Sequence, residues 1–291
     1  MTPERGWDRA LECAARSRLT LLVGGVDAGK TSLATFLANG LFARGFRVGI
    51  VDADPGQSEI GPPTTIGLGA VTRSLFRLGD ADLAGLSFVG STSPQGHVRA
   101  TIAATQQMTD RAFALGFERV VVDTTGFIEG PSGRILKHGK IERLRPDLVI
   151  CLERQEECEP ILRMCEQKGR PEVLRLAVGA HARRRSAAER RRHRQAALDA
   201  YFHDATPRSL SVSALALRLV SDRSDPMSGP DRVEPALVGL DDASGDTLGL
   251  GVFRAVNGLD RTLLVDTPVH EGEVAGLRAG PRVFHAVETV R

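Results

Sequence analysis

Apolar and polar positions alternate in blocks along the first two hundred residues. Residues 7–16 have the texture of a short helix, and Arg18–Val23 is a short apolar run closed by Gly24-Gly25, the pattern of a buried strand. Leu33, Phe36, Leu37 and Leu41 then recur mostly every three or four residues and predict a helix. Further strands are expected at Arg47–Val51, Leu86–Gly90, Arg119–Val122, Leu148–Leu152 and Val173–Val178. Helices are expected over about 97–115 and around 157–168, and the Gly- and Pro-rich stretch before Leu86 is left without an element. Strands alternating with helices of this length predict βαβ units, hence an α/β fold with a mainly parallel sheet covered on both faces.

Beyond about residue 205 the pattern changes. Helical periodicity fades, and short β-like runs appear at Leu210–Leu217, Ala236–Leu240, Leu248–Val256, Thr262–Val265 and Arg282–Val287. Asn257-Gly258 suggests a hairpin turn between two of them, and Arg223–Asp231 reads as a loop. The expected organisation is a first domain over 1–205 and a small all-β domain over 206–291.

Composition narrows the class of protein. With 42% hydrophobic and 25% charged residues, the 291-residue chain is neither disordered nor a disulfide scaffold. No apolar run approaches the ~18 residues of a membrane span, and no secretory signal opens the chain, so a cytoplasmic protein without membrane association is expected. The four cysteines form no CxxC pair and read as packing residues.

Charge adds one sharp feature. The net charge is only +2, yet residues 183–194 hold seven arginines and one glutamate, so the rest of the chain is slightly acidic. Ser186-Ala187-Ala188-Glu189 fits a capping box, predicting a helix from about 187 on which Arg190 and Arg194 share a face and Ala197, Leu198 and Tyr201 turn towards the body. A mobile segment bearing guanidinium forks suits a lid over phosphates, placed at about 181–202.

Candidate chemistry lies at the strand ends. Gly24 to Thr31 fits GxxxxGK[ST] between a strand and a helix, the context that confirms a phosphate-binding loop. Gly25, Val26, Asp27, Ala28, Gly29, Lys30, Thr31 and Ser32 are therefore the nucleotide-binding candidates. Lys30 is placed to reach the β- and γ-phosphates and Thr31 to offer its hydroxyl to Mg²⁺. Only four of the 38 basic residues are lysine, and Lys30 is the first of them. Asp52 and Asp54 close one strand and Asp123 another, where an acid holds Mg²⁺ or takes a proton from an attacking hydroxyl. Asp54 is favoured because Pro55 keeps its backbone extended and Gly56 permits a bend beyond it.

The ordered set GGVDAGKTS (24–32), DADPGQSEIGPP (52–63), STSP (91–94), DTTGFIEG (123–130) and RSAAERRRHRQAALDAYF (185–202) resembles the polynucleotide 5′-hydroxyl kinases. That family includes the kinase subunit of the pre-mRNA 3′-end cleavage complex, pre-rRNA-processing kinases and archaeal RNA kinases. The stretch 249–269 is also similar to the β domain of the archaeal members. The resemblance implies a P-loop NTPase-type core and transfer of the γ-phosphate of ATP or GTP, with Mg²⁺, to the 5′-hydroxyl of RNA or DNA. It implies that Lys30 is the P-loop lysine and Asp54 the acid that activates the hydroxyl; the metal candidates, from the loop and the strand-end acids, are Thr31, Asp54 and Asp123. Thr92 and Pro94 match an acceptor clasp, and Arg185 and Arg190 match two catalytic lid arginines. Phe127 stands where the family often has Trp, placed to stack on a base. Gln57 is expected either to hydrogen-bond the acceptor or to cap a loop. Lys137 and Lys140 are expected to line the acceptor channel or to lie on a solvated face, and His97 to touch phosphate or, as the commoner case, to sit at the surface. The competing readings are an ATPase or GTPase switch, which needs no acceptor clasp, and a nucleotide-binding RNA-processing scaffold, which needs no base.

Overall fold

Successive residues of a strand face opposite sides of a sheet, and here both sides are covered. The computed structural model describes residues 6–179, 185–220 and 237–289. Five strands are parallel: β1 (Leu19–Gly24), β2 (Val48–Ala53), β5 (Arg119–Thr124), β6 (Leu148–Glu153) and β7 (Glu172–Ala177). Antiparallel β3 (Thr65–Val71) and β4 (Asp82–Phe88) extend one edge, giving the order β4-β3-β2-β5-β1-β6-β7. On one face, Leu22, Ile50, Val121 and Ile150 pack with α1 (Trp7–Arg16) and α2 (Lys30–Ala43). On the other, Leu21, Val51, Val122 and Val149 pack against α3 (Val98–Ala114), α4 (Gly130–Leu144) and α5 (Glu159–Lys168). The expected doubly covered, mainly parallel sheet is present. All four cysteines are free and buried.

Two expectations in this half are corrected. The stretch read as irregular contains β3, an interior strand of the sheet edge. Its Gly67 and Gly69 weaken the strand signal, but a Cβ on Gly67 would lie 1.9 Å from Ile60 O, so close approach of the 58–61 loop demands glycine there. Of the run expected at 86–90, only residues 86–88 are strand, the end of the longer β4.

The C-terminal segment builds a second, six-stranded sheet, β8-β12-β11-β10-β13-β9, from β8 (Thr206–Ser211), β9 (Ala216–Leu219), β10 (Leu237–Asp241), β11 (Thr247–Asn257), β12 (Thr262–Thr267) and β13 (Gly276–Ala279). Its pairings are antiparallel except β13 with β9. Asn257 ends the β11 arm of a hairpin with β12, as expected. The run Leu210–Leu217 is not one strand, because a single 3₁₀ turn at Val212–Ala214 separates β8 from β9. Nor is this part all β: Arg282–Val287, read as β-like, lies in helix α7 (Pro281–Glu288). Val283 and Val287, four apart, both enter the core of this sheet, and Pro281 occupies the first turn, where it is tolerated. The loop expected at Arg223–Asp231 lies outside the described residues. Among those described, no helix is long and apolar enough to cross a membrane.

The Arg-rich helix α6 (Ala187–Tyr201) joins the two sheets. Leu198, Tyr201 and Phe202 pack against Phe88, Val220, Leu237 and Leu250, and the Tyr201 hydroxyl accepts a 2.7 Å hydrogen bond from Leu250 N. The capping box read from the sequence is formed: Glu189 N donates to Ser186 Oγ at 3.1 Å and Ser186 N to Glu189 Oε2 at 2.6 Å.

Candidate active site

The loop between β1 and α2 opens onto a cleft of about 620 Å³ at the C-terminal ends of the parallel strands, where open α/β sheets bind ligands. Val26, Asp27, Gly29, Lys30, Thr31 and Ser32 line it directly; Gly25 and Ala28 are buried behind them. Lys30 is only 6% exposed, and its Nζ donates to the carbonyls of Gly24 (2.9 Å) and Gly25 (2.7 Å). Burial lowers its pKa, against the opposing pull of Asp123 and Asp54.

The acids stand on adjacent strands, with Asp52 in register with Asp123 and Ala53 with Thr124. Asp123 is buried; its Oδ2 accepts a 2.6 Å hydrogen bond from the Thr31 hydroxyl. Its other oxygen, Oδ1, is buried without a hydrogen-bond partner. Burial raises the Asp123 pKa to about 6, with Lys30 and Thr31 pulling it down. An unpartnered carboxylate oxygen beside a hydroxyl is a hard-oxygen donor set of the kind that suits Mg²⁺.

The two acids of the Asp-x-Asp pair have different surroundings. Asp52 is buried and accepts from Glu59 N and Ile60 N (2.6 and 3.0 Å), pinning the 58–60 loop. Burial, and next the charge of Asp123, push its pKa well above the carboxylate range. Asp54 is half-buried and lines the cleft. Its Oδ1 accepts from Gly56 N (2.9 Å) and Gln57 N (3.1 Å), while Oδ2 takes no hydrogen bond among the described residues. The bend after Asp54 brings Gly56 against the carbonyl of Thr92, so close that a Cβ on Gly56 would lie 2.4 Å from Thr92 O.

Thr92, Pro94, Gln57 and Phe127 all line the same cleft. Gln57 Nε2 donates to its neighbour Gly56 O and, at 3.5 Å, to Arg190 O, so in this structure it ties one loop to α6. Arg185 and Arg190 reach the cleft from the other side, together with Arg194, one turn further along α6. Asp27 receives both elements: Arg185 N donates to its Oδ2 at 2.8 Å and Arg190 Nη1 at 3.4 Å, and Arg190 also donates to Arg185 O. Residues 181–184 of the expected lid lie outside the described residues.

Lys137 and Lys140 neither line the cleft nor face solvent; both are fully buried. They share the inner face of α4 with Leu136 and Ile141, and this spacing, with two apolar core positions, was the available signal. Likewise His97 is not a surface histidine: it is 4% exposed at the N-cap of α3, and neither ring nitrogen has a hydrogen-bond partner.

A strand–phosphate loop–helix unit with acids at the neighbouring strand ends defines a P-loop nucleoside-triphosphate-binding protein. More narrowly, the chain belongs to the family described as mRNA cleavage and polyadenylation factor CLP1 P-loop, whose model matches residues 24–204. It is 31% identical over 320 residues to a polyribonucleotide 5′-hydroxyl-kinase of Methanocaldococcus jannaschii, spanning 92% of this chain and 88% of that protein. With a protein of the same description from Pyrococcus furiosus it shares 32% identity, over 87% of this chain and 83% of the relative. Among solved structures, the fold resembles Clp1p in its complex with Pcf11p, at a TM-score of 0.66 and 16% identity, covering 93% of this chain and 77% of that one.

Proposed function

We propose that this chain is a polynucleotide 5′-hydroxyl kinase that transfers the γ-phosphate of a nucleoside triphosphate to the 5′-hydroxyl end of RNA. The observation that carries the reading is the convergence, around one cleft, of a phosphate loop, a strand-end acid, the Thr92–Pro94 segment, an aromatic ring and two arginines. A switch or a scaffold has no use for the acceptor half of that set.

In-line phosphoryl transfer needs little covalent help and much alignment and charge stabilisation. The loop amides and Lys30 hold the triphosphate. Lys30 exchanges its bonds to Gly24 O and Gly25 O for phosphate oxygens, which a flexible ammonium stem allows. Thr31, Asp123 and Asp54 are the oxygen donors suited to Mg²⁺, which when bound neutralises charge on the β- and γ-phosphates. Asp54, its Oδ1 fixed by two backbone amides, keeps Oδ2 to accept the proton of the attacking hydroxyl. Thr92 and Pro94 grip the acceptor strand and Phe127 stacks on its terminal base. Arg185 and Arg190, anchored on Asp27, form the lid and stabilise the transferring group.

The test is incubation with γ-labelled ATP and matched 5′-hydroxyl RNA and DNA oligonucleotides. Label in the oligonucleotide is the expected result, and the RNA/DNA ratio reports acceptor preference. Label only in inorganic phosphate refutes the kinase in favour of a switch, and no turnover refutes it in favour of a scaffold.

A further inference from the structure

Three of the four lysines in this arginine-rich chain are buried at the ends of neighbouring strands: Lys30, Lys137 and Lys140 are 6%, 0% and 0% exposed. The last two have no place in the chemistry derived above. Lys137 Nζ donates to Thr124 Oγ1 (2.7 Å) and to Thr125 O. Lys140 Nζ donates to Ala53 O at 3.1 Å. Ala53 and Thr124 are register partners on β2 and β5, so α4 ties two adjacent strand ends, one residue before Asp54 and one residue after Asp123.

The two amines are not equivalent. Lys137 has two oxygen partners, whereas Lys140 has three N–H donors, full burial and a single partner. An ammonium so placed is costly unless opposite charge compensates it. The compensation is present: burial lowers the Lys140 pKa to about 8, and Asp54, then Asp123, then Asp52 oppose that fall. Arginine, the chain's usual base, would bring five donors in a rigid plane to a slot offering one carbonyl.

We propose that Lys140 is a positioning residue for phosphoryl transfer: its ammonium, tied to Ala53 O, sets where Asp54 leaves β2 and balances the Asp54 and Asp123 carboxylates from the α4 side. Without it, two carboxylates repel across adjacent strand ends in a site of low dielectric, and the main chain preceding Asp54 loses its tether. This role rests on the kinase reading, with Asp54 at the acceptor.

The variants are Lys140→Met, which keeps length and removes charge, and Lys140→Gln, which keeps a donor and removes charge. Each is compared with wild type by label transfer to a 5′-hydroxyl oligoribonucleotide. Both are expected to lose tenfold or more in kcat, with KM for ATP and for RNA changed less than threefold. The melting temperature of Lys140→Met should fall, because one partner of a compensated buried set is removed and the Ala53 carbonyl loses its donor, so all rates are compared below that transition. In an Asp54→Asn background, Lys140→Met should cost nothing further. A kcat loss below tenfold, or losses that multiply in the double variant, overturns the assignment. Should Lys140→Met fail to fold, Lys140→Gln decides by the same thresholds. A wild type that labels no oligonucleotide overturns the kinase reading and this role with it, whereas variants that label as fast as an active wild type overturn Lys140 alone.

Discussion

Gly56→Ala tests whether the acid loop and the acceptor segment form one machine. The loop that presents Asp54 is held by two amide bonds onto its own carboxylate. It packs against the 91–94 segment only because residue 56 lacks a side chain. An added methyl would sit 2.4 Å from Thr92 O. An ordinary carbon–oxygen contact is about 3.5 Å, so the two segments must separate by roughly 1 Å. The backbone at Gly56 is not left-handed, so the substitution carries no conformational strain and the effect is steric. A misplacement of about 1 Å costs on the order of 10²-fold in a well-aligned transfer. Overpacking of this kind destabilises by about 1–3 kcal/mol. The expected outcome is therefore a ~10²-fold loss in kcat/KM for the 5′-hydroxyl acceptor, measured by label transfer. Affinity for Mg·ATP, measured by titration calorimetry, should change little, since the phosphate loop lies across the cleft. If Gly56→Ala retains acceptor kcat/KM within threefold of wild type, the contact is not part of the acceptor site and the reasoning fails.

Asp54→Asn should lower kcat by roughly 10²–10⁴ while Mg·ATP binding is retained through the phosphate loop, Thr31 and Asp123, which carry most of the metal's ligation; activity near wild type would remove Asp54 as the proton acceptor. Phe127→Ala should weaken acceptor binding by about 1–3 kcal/mol, read as a raised RNA KM, with ATP affinity unchanged. Arg190→Lys should restore only part of the kcat lost in Arg190→Ala, because an ammonium cannot make a bidentate contact; full recovery in steady-state assays would argue against a guanidinium fork on the phosphoryl group. Asp123 has a folded pKa of about 6, above its ordinary 3.8, so the folded protein holds that proton more tightly than the unfolded chain. The half-saturating Mg²⁺ concentration should therefore rise as pH falls through about 6, while the ligand-free protein gains stability from this group between 6 and 3.8; thermal melts and metal titrations across that range check both signs.

Much of this protein is written locally. The phosphate loop, the strand-end acids and the capping box of α6 each depend on a few consecutive residues with a fixed backbone requirement, so they are legible without a partner. The same holds for the doubly covered strands, whose apolar runs reflect burial on both faces. Only the tertiary structure decided the rest. The glycines of β3 speak against a strand until the Ile60 carbonyl that needs their space is in place. Arg282–Val287 carries residues that suit either a strand or a helix, and the packing of Val283 and Val287 into one core selects the helix. Lys137, Lys140 and His97 are polar letters that local rules send to the surface. Lys140 is held in the interior by the Ala53 carbonyl and by the opposing charge of acids distant in sequence, Asp54 first, and that field exists only once α4 has docked against the ends of β2 and β5. The join between α6 and β11 through Tyr201 likewise depends on two segments 49 residues apart. Short-range spacing determines which residues bear the chemistry; folding determines which charges share a site.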